Sequence, residues 1–571
     1  MQRKLKVSVS QASVAGRKPV NQDAIGCFIP SNLELESKGL AAIICDGISS
    51  SSVSQVASEA TVTGFIKDYY ATSDAWSVKN SATRVLKSIN HWLFAQTKNS
   101  EYRFDFNEGY VCTASAVIIK SHTAYVFHCG DSRVYCQSNN DFEQLTHDHQ
   151  HFIDPTTSYL TRALGMDTSV DIEHIAIELS VGDKLLLATD GLYDYVTEHE
   201  ISEILDQESI CEQTKADVLV KRALENGSHD NVSAIVLGIE ALPDNPLQDW
   251  KESLFTLPLP PELEEGRCID NFEILRPLQI TSRSHVFLAK DLNNNEQIAL
   301  KTPSAESRHD PQHVESILME SWIASRLNSP HLLKAYKPSL RHSYTYSVAS
   351  FVEGITLAQW VKDNPNPPLS KIRHIIGQLC KGLQTMHRHE MIHQDLRPEN
   401  VMIDANEHVT IIDFGATQVK GLEEMAPMEP TVPGTALFTA PEYLLGYFGT
   451  TRSDIYSLGV MTYFMLTGRF PYGTDVAKSL TVKAQGKLRY IPAPSINQKV
   501  PHWIDYALKN AVRIEPEKRY QEVSEFLFDL KVPNPKSQKR GKLPIAERNP
   551  VLFWQRISLV LSVLLLIALW Y

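Results

Sequence analysis

Met391-Ile-His-Gln-Asp-Leu-Arg-Pro-Glu-Asn-Val-Met-Ile-Asp404, then the strand-like Val409-Thr-Ile-Ile412, then Asp413-Phe-Gly415, is the stretch around which this chain is organised. It reads as two short loops separated by apolar strands. Asp395 and Asn400 stand five residues apart, and Asp413 follows thirteen later. Phosphoryl transfer uses this set of parts: one carboxylate to take or orient the proton of an attacking hydroxyl, and an amide with a second carboxylate to hold magnesium on nucleotide phosphates. Asp-Phe-Gly alone is an ordinary turn; its separation from His393-Gln-Asp-Leu-Arg-Pro-Glu-Asn400, with strand residues between, makes the signal specific.

At these residues the chain resembles the eukaryotic-type protein serine/threonine kinases, and the resemblance extends over about 268–532. It implies a bilobal fold, a small β-rich lobe on a larger helical one. The segments Phe272–Leu275, His285–Ala289 and Gln297–Lys301 read as strands of the small lobe. By motif match Lys301, in Ile298-Ala-Leu-Lys301, is the phosphate-binding lysine and pairs with Glu320, while Asp395 serves the substrate hydroxyl. Asn400 and Asp413 hold Mg2+, and Gln279 and Val286 cover ATP. Glu442, of Ala440-Pro-Glu442, bonds Arg519 in the scaffold, where Asp454 also serves. Two departures stand out. Gln394 replaces the arginine that usually precedes the catalytic aspartate, so this domain should not depend on activation-segment phosphorylation. Thr417, Thr431 and Thr435 remain candidate phosphosites or plain loop residues. In Leu278-Gln-Ile-Thr-Ser-Arg-Ser-His-Val286 every glycine of the nucleotide-covering loop is gone. Glycine lets backbone N–H groups approach phosphate, so side chains at Gln279, Thr281 and Ser284 should weaken or reshape ATP binding. Arg283 or Ser284 is the candidate substitute contact.

The first 240 residues carry a second pattern. Short β-like runs (Val117–Ile119, Ala124–His128, Lys184–Ala188, Val232–Leu237) alternate with helical stretches near 53–69, 78–97 and 214–226. Asp46, Asp131, Asp190 and Asp230 each stand at the end of such a run. One Asp-Gly is a turn; four aspartates converging on sheet edges make hard oxygen ligands suited to Mg2+ or Mn2+.

Asn21-Gln-Asp23, Cys45-Asp-Gly47, Gly130-Asp-Ser-Arg133, Leu145-Thr-His-Asp-His149, Thr161-Arg-Ala-Leu-Gly165, Thr189-Asp-Gly-Leu192 and Asp230-Asn-Val232 together resemble the type 2C metal-dependent protein phosphatases. The resemblance implies an α-β-β-α sandwich with two or three metal ions at one end. Asp46 would bridge two of them, the Gly47 carbonyl would bind one, and Asp190 and Asp230 would hold the other. Asp131 would serve a third, and Asp23 would orient water. Two such ions acidify a water for in-line attack on phosphorus, with no cysteine nucleophile. Lys18, or Arg17 beside it, falls near the phosphate-binding arginine of the family; lysine offers a point charge rather than a fork. Ser49 and Ser50 replace two glycines after Asp46-Gly47, and Ile48 leaves no histidine there as leaving-group acid.

The remainder frames these domains. A chain of 571 residues calls for two to four domains. Its formal charge of −12 argues against nucleic acid as a partner. The 8 scattered cysteines, with no C-x-x-C, suit a reducing compartment. No apolar leader follows the basic N-terminus. Residues 241–267 are a proline-rich linker whose Trp250, Leu254 and Phe255 either dock on a domain or are scattered apolars. Residues 533–550 form a basic tether, and 551–571 an apolar end. Counted from Val551, 21 residues reach about 31 Å as a helix, enough for a ~30 Å bilayer core with Arg556 snorkelling. The cations preceding it orient the catalytic domains to the cytoplasm, and the pairing of domains suits a bacterial inner membrane. A dimer helix is the alternative for this tail.

The reading is a multidomain α+β chain: phosphatase sandwich, bilobal kinase and a single C-terminal transmembrane helix. It acts as a bifunctional signalling enzyme on proteins bearing Ser/Thr or phospho-Ser/Thr, itself among them. Two rivals stand beside it: an active phosphatase regulated by a nucleotide-sensing kinase-like domain, and a nonenzymatic membrane scaffold.

Overall fold

The computed structural model describes residues 4–31, 33–105, 108–138, 141–154, 157–207, 209–244, 258–304, 306, 311–336, 343–425, 437–536 and 554–558. Thr431 and Thr435, the linker residues Trp250, Leu254 and Phe255, and the apolar tail except 554–558 lie outside them. Among the described residues no helix is long and apolar enough to cross a membrane. Two compact units form: Met1–Thr256 with Val419–Met428, and Leu257–Gln418 with Glu429–Tyr571.

The first unit holds two five-stranded sheets. Its strands are β1 (Lys6–Val14), β2 (Ala24–Phe28), β3 (Leu40–Cys45), β4 (Ala114–Lys120), β5 (Thr123–Cys129), β6 (Arg133–Ser138) and β7 (Asp141–Gln144). After the hairpin β8 (Gln150–Asp154) and β9 (Thr157–Leu160) come β10 (Glu173–Glu178), β11 (Lys184–Ala188) and β12 (Val232–Ala241). One sheet runs β1-β12-β11-β6-β7, the other β10-β5-β4-β3-β2. Strand alternation sorts the core into layers. Leu40, Ala42 and Ile44 of β3 join Leu185, Leu187, Ile235 and Leu237 between the sheets. The opposite face of β3 (Ala41, Ile43, Cys45) lies under the helices Ser54–Ala71 and Val78–Lys98. The other sheet's outer face is covered by Glu198–Asp206 and Lys215–Glu225. Strands covered on both faces explain why β3, β4 and β11 read as continuous apolar runs rather than alternating ones. Within this unit Lys120, 1% exposed, donates to the Gly421 carbonyl at 2.6 Å and to Glu424 at 3.1 Å. Glu424 in turn accepts the Val78 N–H at the start of a 21-residue helix, so this buried cation is paired as buried charges must be.

The second unit opens with a sheet ordered β13 (Cys268–Ile269), β14 (Phe272–Ile280), β15 (Ser284–Asp291), β16 (Gln297–Pro303), β17 (Ser347–Ser350). The helix Pro311–Ala324 accompanies it. The rest is mainly helical. In Leu369–Arg388 the residues Ile372, Ile375, Ile376, Leu379, Leu383 and Met386 fall on one face and are buried. Thr451–Thr467 is buried nearly all round; Thr450 caps its start and Gly468, at φ 66°, ends it in the left-handed region.

Candidate active sites

In the first unit the strand ends bring the acidic residues together. Gly47 follows β3 and Asp46; its N–H donates to the Gln22 carbonyl at 3.1 Å, and a Cβ there would stand 2.9 Å from that oxygen. Asp46 is fixed through its backbone: its N–H donates to Thr113 Oγ1 (2.9 Å) and its carbonyl accepts the Thr113 N–H (2.8 Å). Asp190 opens the short helix Asp190–Tyr193 straight after β11. Asp131 follows β5, where Gly130 takes φ 123° and its missing Cβ leaves room for Thr113. Asp131 accepts from Gln150 Nε2 at 2.5 Å.

Asp23 is held differently. Its Oδ2 accepts from Ser233 Oγ (2.7 Å) and Thr189 Oγ1 (3.0 Å). Its Oδ1 is buried with no assigned donor among the described residues, and the Asp46 carboxyl is a close neighbour of the Asp23 side chain. Burial, and then the neighbouring carboxylates, push Asp46 well above the usual carboxylate range and Asp190 up to about 8. Burial likewise raises Asp23 and Asp131. This is a negative cluster short of cations. Lys18 ion-pairs with Asp230 and donates to Ser49 Oγ at 2.8 Å, whereas Arg17 faces His229 Nδ1 at 2.9 Å. Of the two cations proposed for phosphate, Lys18 therefore borders the carboxylates directly. Sequence reading places Thr189 and Asn231 in motifs without giving them a role, and it misses Ser233 and Gln150 altogether. Asn231 accepts the Gln22 N–H (2.9 Å) and donates to the Ala15 and Val20 carbonyls (3.0 Å each), tying down the loop that carries Lys18 and Asp23.

A separate cluster of three groups, His128, His149 and Glu173, brings ligand-type atoms within 4.8 Å of one another. Both histidines already have partners: His128 meets Ser115 Oγ (2.9 Å) and the His147 carbonyl (3.0 Å), and His149 Nδ1 accepts the Gly130 N–H (3.1 Å).

The second unit assembles the other constellation. Lys301, on β16, lies 2.7 Å from Glu320 and 3.4 Å from Asp413. Burial pushes Glu320 up to about 7, against the pull of Lys301. Burial also acts on Asp413, but Lys301 and the Gly415 N–H outweigh it and hold that carboxyl below its usual range. Asn400 Nδ2 donates to the Asp395 carbonyl (2.8 Å) and to its carboxylate (3.0 Å). Burial raises Asp395. The loop is anchored from beneath: the buried Asp454 accepts the N–H groups of His393 and Gln394 at 3.0 Å each and pairs with His387 at 2.8 Å. Gln394 (φ 67°) and Asp413 (φ 69°) both occupy the left-handed region, uncommon for residues with a Cβ. Gln394 donates to Gln418 Oε1 at 2.5 Å, a neutral pair. Glu442 takes a bidentate grip from Arg519, 2.7 Å on each oxygen. Gln279 and Val286 face each other across β14 and β15 in register.

Comparison with known proteins decides what these two constellations belong to. A model of the protein kinase domain matches residues 274–537, and a model of protein phosphatase 2C matches 11–226. The chain joins a protein phosphatase 2C domain to a protein kinase domain. The serine/threonine-protein kinase PknB of Mycobacterium leprae is 30% identical over 266 residues, which are 46% of this chain and 42% of that protein. The phosphatase–kinase chain thus spans less than half the length of such a curated relative. Among solved structures it is similar to a serine/threonine phosphatase of S. agalactiae (23% identity, 41% of this chain and 100% of that one, TM-score 0.37). It is also similar to the PknI kinase domain of Mycobacterium tuberculosis (20% identity, 47% and 99%, TM-score 0.37).

Proposed function

We propose that this chain is a bifunctional enzyme, one unit removing phosphate from phosphoserine and phosphothreonine in proteins and the other transferring phosphate from ATP to serine and threonine. The observation that carries it is the charge balance of the carboxylates. In the first unit Asp46, Asp190, Asp131 and Asp23 are raised together, and one buried acceptor, Asp23 Oδ1, has no assigned donor among the described residues. That donor set fits hard divalent cations. Asp46, the Gly47 carbonyl, Asp190 and Asp230 are the proposed ligands of two Mg2+ or Mn2+ ions, with Asp131 for a third. When bound, such ions activate water and offset the charge developing on phosphorus. The chain's own part is to hold Asp23 through Thr189 and Ser233, and to present Lys18 to the phosphoryl oxygens. In the second unit Lys301 is positioned to neutralise ATP phosphates, Asp395 to accept the substrate hydroxyl proton, and Asn400 and Asp413 to hold the nucleotide's Mg2+.

The domain division is read as 1–240, 268–532 and a C-terminal anchor from Val551, with both catalytic domains on the cytoplasmic side of the membrane. The physical support for the anchor is its length and its preceding cations. A second reading makes the kinase unit a nucleotide sensor; the Ser284 N–H, bonded to Thr281 Oγ1 at 3.0 Å where the family has a glycine-rich loop, favours it, while the intact Lys301–Glu320 pair favours catalysis.

The test is hydrolysis of a phosphothreonine peptide by the full-length protein. Release should require Mn2+ or Mg2+ and vanish in Asp46→Asn. Metal-independent release, or release retained by that variant, would remove the phosphatase reading.

A further inference from the structure

The turn joining β14 to β15 is Thr281-Ser282-Arg283-Ser284, closed by the register pair Ile280–His285. Its hydrogen bonds converge on one side chain. Thr281 Oγ1 accepts the N–H of Ser284 at 3.0 Å and that of Arg283 at 3.3 Å, and donates to the Ser284 carbonyl at 2.9 Å. The Thr281 N–H donates to that same carbonyl at 3.0 Å. Ser304, just past β16, pins the turn from below: its hydroxyl donates to the Ser282 carbonyl (2.5 Å) and its N–H to the Arg283 carbonyl (2.9 Å).

A loop that covers nucleotide phosphates works by aiming backbone N–H groups at anionic oxygen, and glycine serves because no side chain intervenes. Here the N–H groups of Arg283 and Ser284 already have an oxygen, supplied by the chain itself. We propose that the Thr281 hydroxyl is an internal stand-in for a nucleotide phosphate oxygen. It occupies the donors at the tip of the turn and sets the domain's affinity for the polyphosphate part of a nucleotide, leaving the nucleoside part unaffected. This rests on the reading of the second unit as a nucleotide-binding kinase domain. A phosphate must displace the hydroxyl before the turn can bind it. The discrimination between a nucleoside triphosphate and its bare nucleoside should therefore be narrow, and Thr281 is the residue that narrows it.

Thr281→Val removes the hydroxyl and keeps the branched Cβ, so it frees both donors without loosening the backbone. Thr281→Ser keeps the hydroxyl. Thr281→Gly is a second way to free the donors. Calorimetric titration of the full-length protein with the magnesium complex of a non-hydrolysable ATP analogue, and separately with adenosine, reads the effect. Valine and glycine should each tighten the analogue about tenfold, as the phosphate no longer has to displace the neutral hydrogen bonds of the hydroxyl. Adenosine should bind each variant within about twofold of the native chain, and Thr281→Ser should match the native chain for both ligands. Adenosine binding unchanged with no gain for the analogue in either variant overturns the role of Thr281 and leaves the kinase reading standing. Failure of every variant and the native chain to bind either ligand overturns both.

Discussion

The two catalytic constellations solve the problem of buried carboxylates in opposite ways. In the kinase unit each acid meets a cation or a donor of the same chain: Glu320 and Asp413 share Lys301, Asp454 has His387 and two backbone N–H groups, and Glu442 has Arg519. In the phosphatase unit Asp23 and Asp131 have neutral donors, Ser233 and Thr189 for the first and Gln150 for the second, but Asp23, Asp46, Asp131 and Asp190 lie among one another's charges, and Lys18 ion-pairs with Asp230. The first arrangement is electrostatically settled by its own residues. The second, on the proposed reading, takes its cations from outside. The difference separates a site preorganised by folding from one whose organisation is completed by binding.

The largest effect should come from removing a carboxylate of the unsettled site. Asp190→Asn is expected to lower phosphatase turnover about a thousandfold or more, because Asp190 is a proposed ligand of the ions that would activate water. A steady-state assay with excess Mn2+ checks this, and recovery at high metal would show that Asp190 serves affinity alone.

The settled site should show its dependence in stability as well as activity. Lys301→Met leaves Glu320, 6% exposed, buried without its cation; a loss of about 3–5 kcal/mol is expected in denaturant unfolding. Adding Glu320→Gln should return most of that stability and none of the phosphate transfer. If the double variant remained as unstable as the single one, the pair would not be what holds this region.

pH separates the two units further. The folded-state pKa of Asp190 is raised to about 8, from 3.8 in the unfolded chain. A raised carboxyl favours folding in its protonated form, so its contribution is present below about 4 and is lost as pH rises through about 8. With chelator present, the phosphatase unit's thermal midpoint should fall across that window; Mn2+ should flatten the profile, since binding ejects the proton. A profile indifferent to metal would contradict the proposed site.

These contrasts also mark what could be read in the sequence. Aspartates at strand ends and the His393–Gly415 stretch are local patterns, so they were visible as motifs. The three principal helices and four strands named for the first unit lie where the periodicity placed them, within a few residues at their ends. The hydrogen bonds that aim the motifs were not visible: Ser233 reaches Asp23 across 210 positions and Asn231 reaches the Gln22 N–H across 209. Hydroxyl and amide residues have no periodic signature, and only folding brings them to their partners. Thr281 was legible only as an absent glycine; that its hydroxyl fills the turn depends on side-chain direction.

The smallest effect concerns Lys18, whose ammonium borders the carboxylates at Asp230. Lys18→Ala should raise KM for a phosphopeptide about tenfold with kcat changed less, whereas Lys18→Arg should stay within about threefold. An unchanged KM in the alanine variant would leave substrate phosphate to another residue.

The central claim, two opposed activities in one chain, meets its most direct test in three full-length proteins incubated with γ-labelled ATP and Mn2+. These are the native chain, Asp190→Ala, and Asp190→Ala with Asp395→Ala. Protein-bound label and free phosphate would be followed together. The account predicts label retained on Asp190→Ala, little on the native chain because it is released as phosphate, and none on the double variant. Equal label on native and Asp190→Ala proteins, or label that survives loss of Asp395, would contradict it.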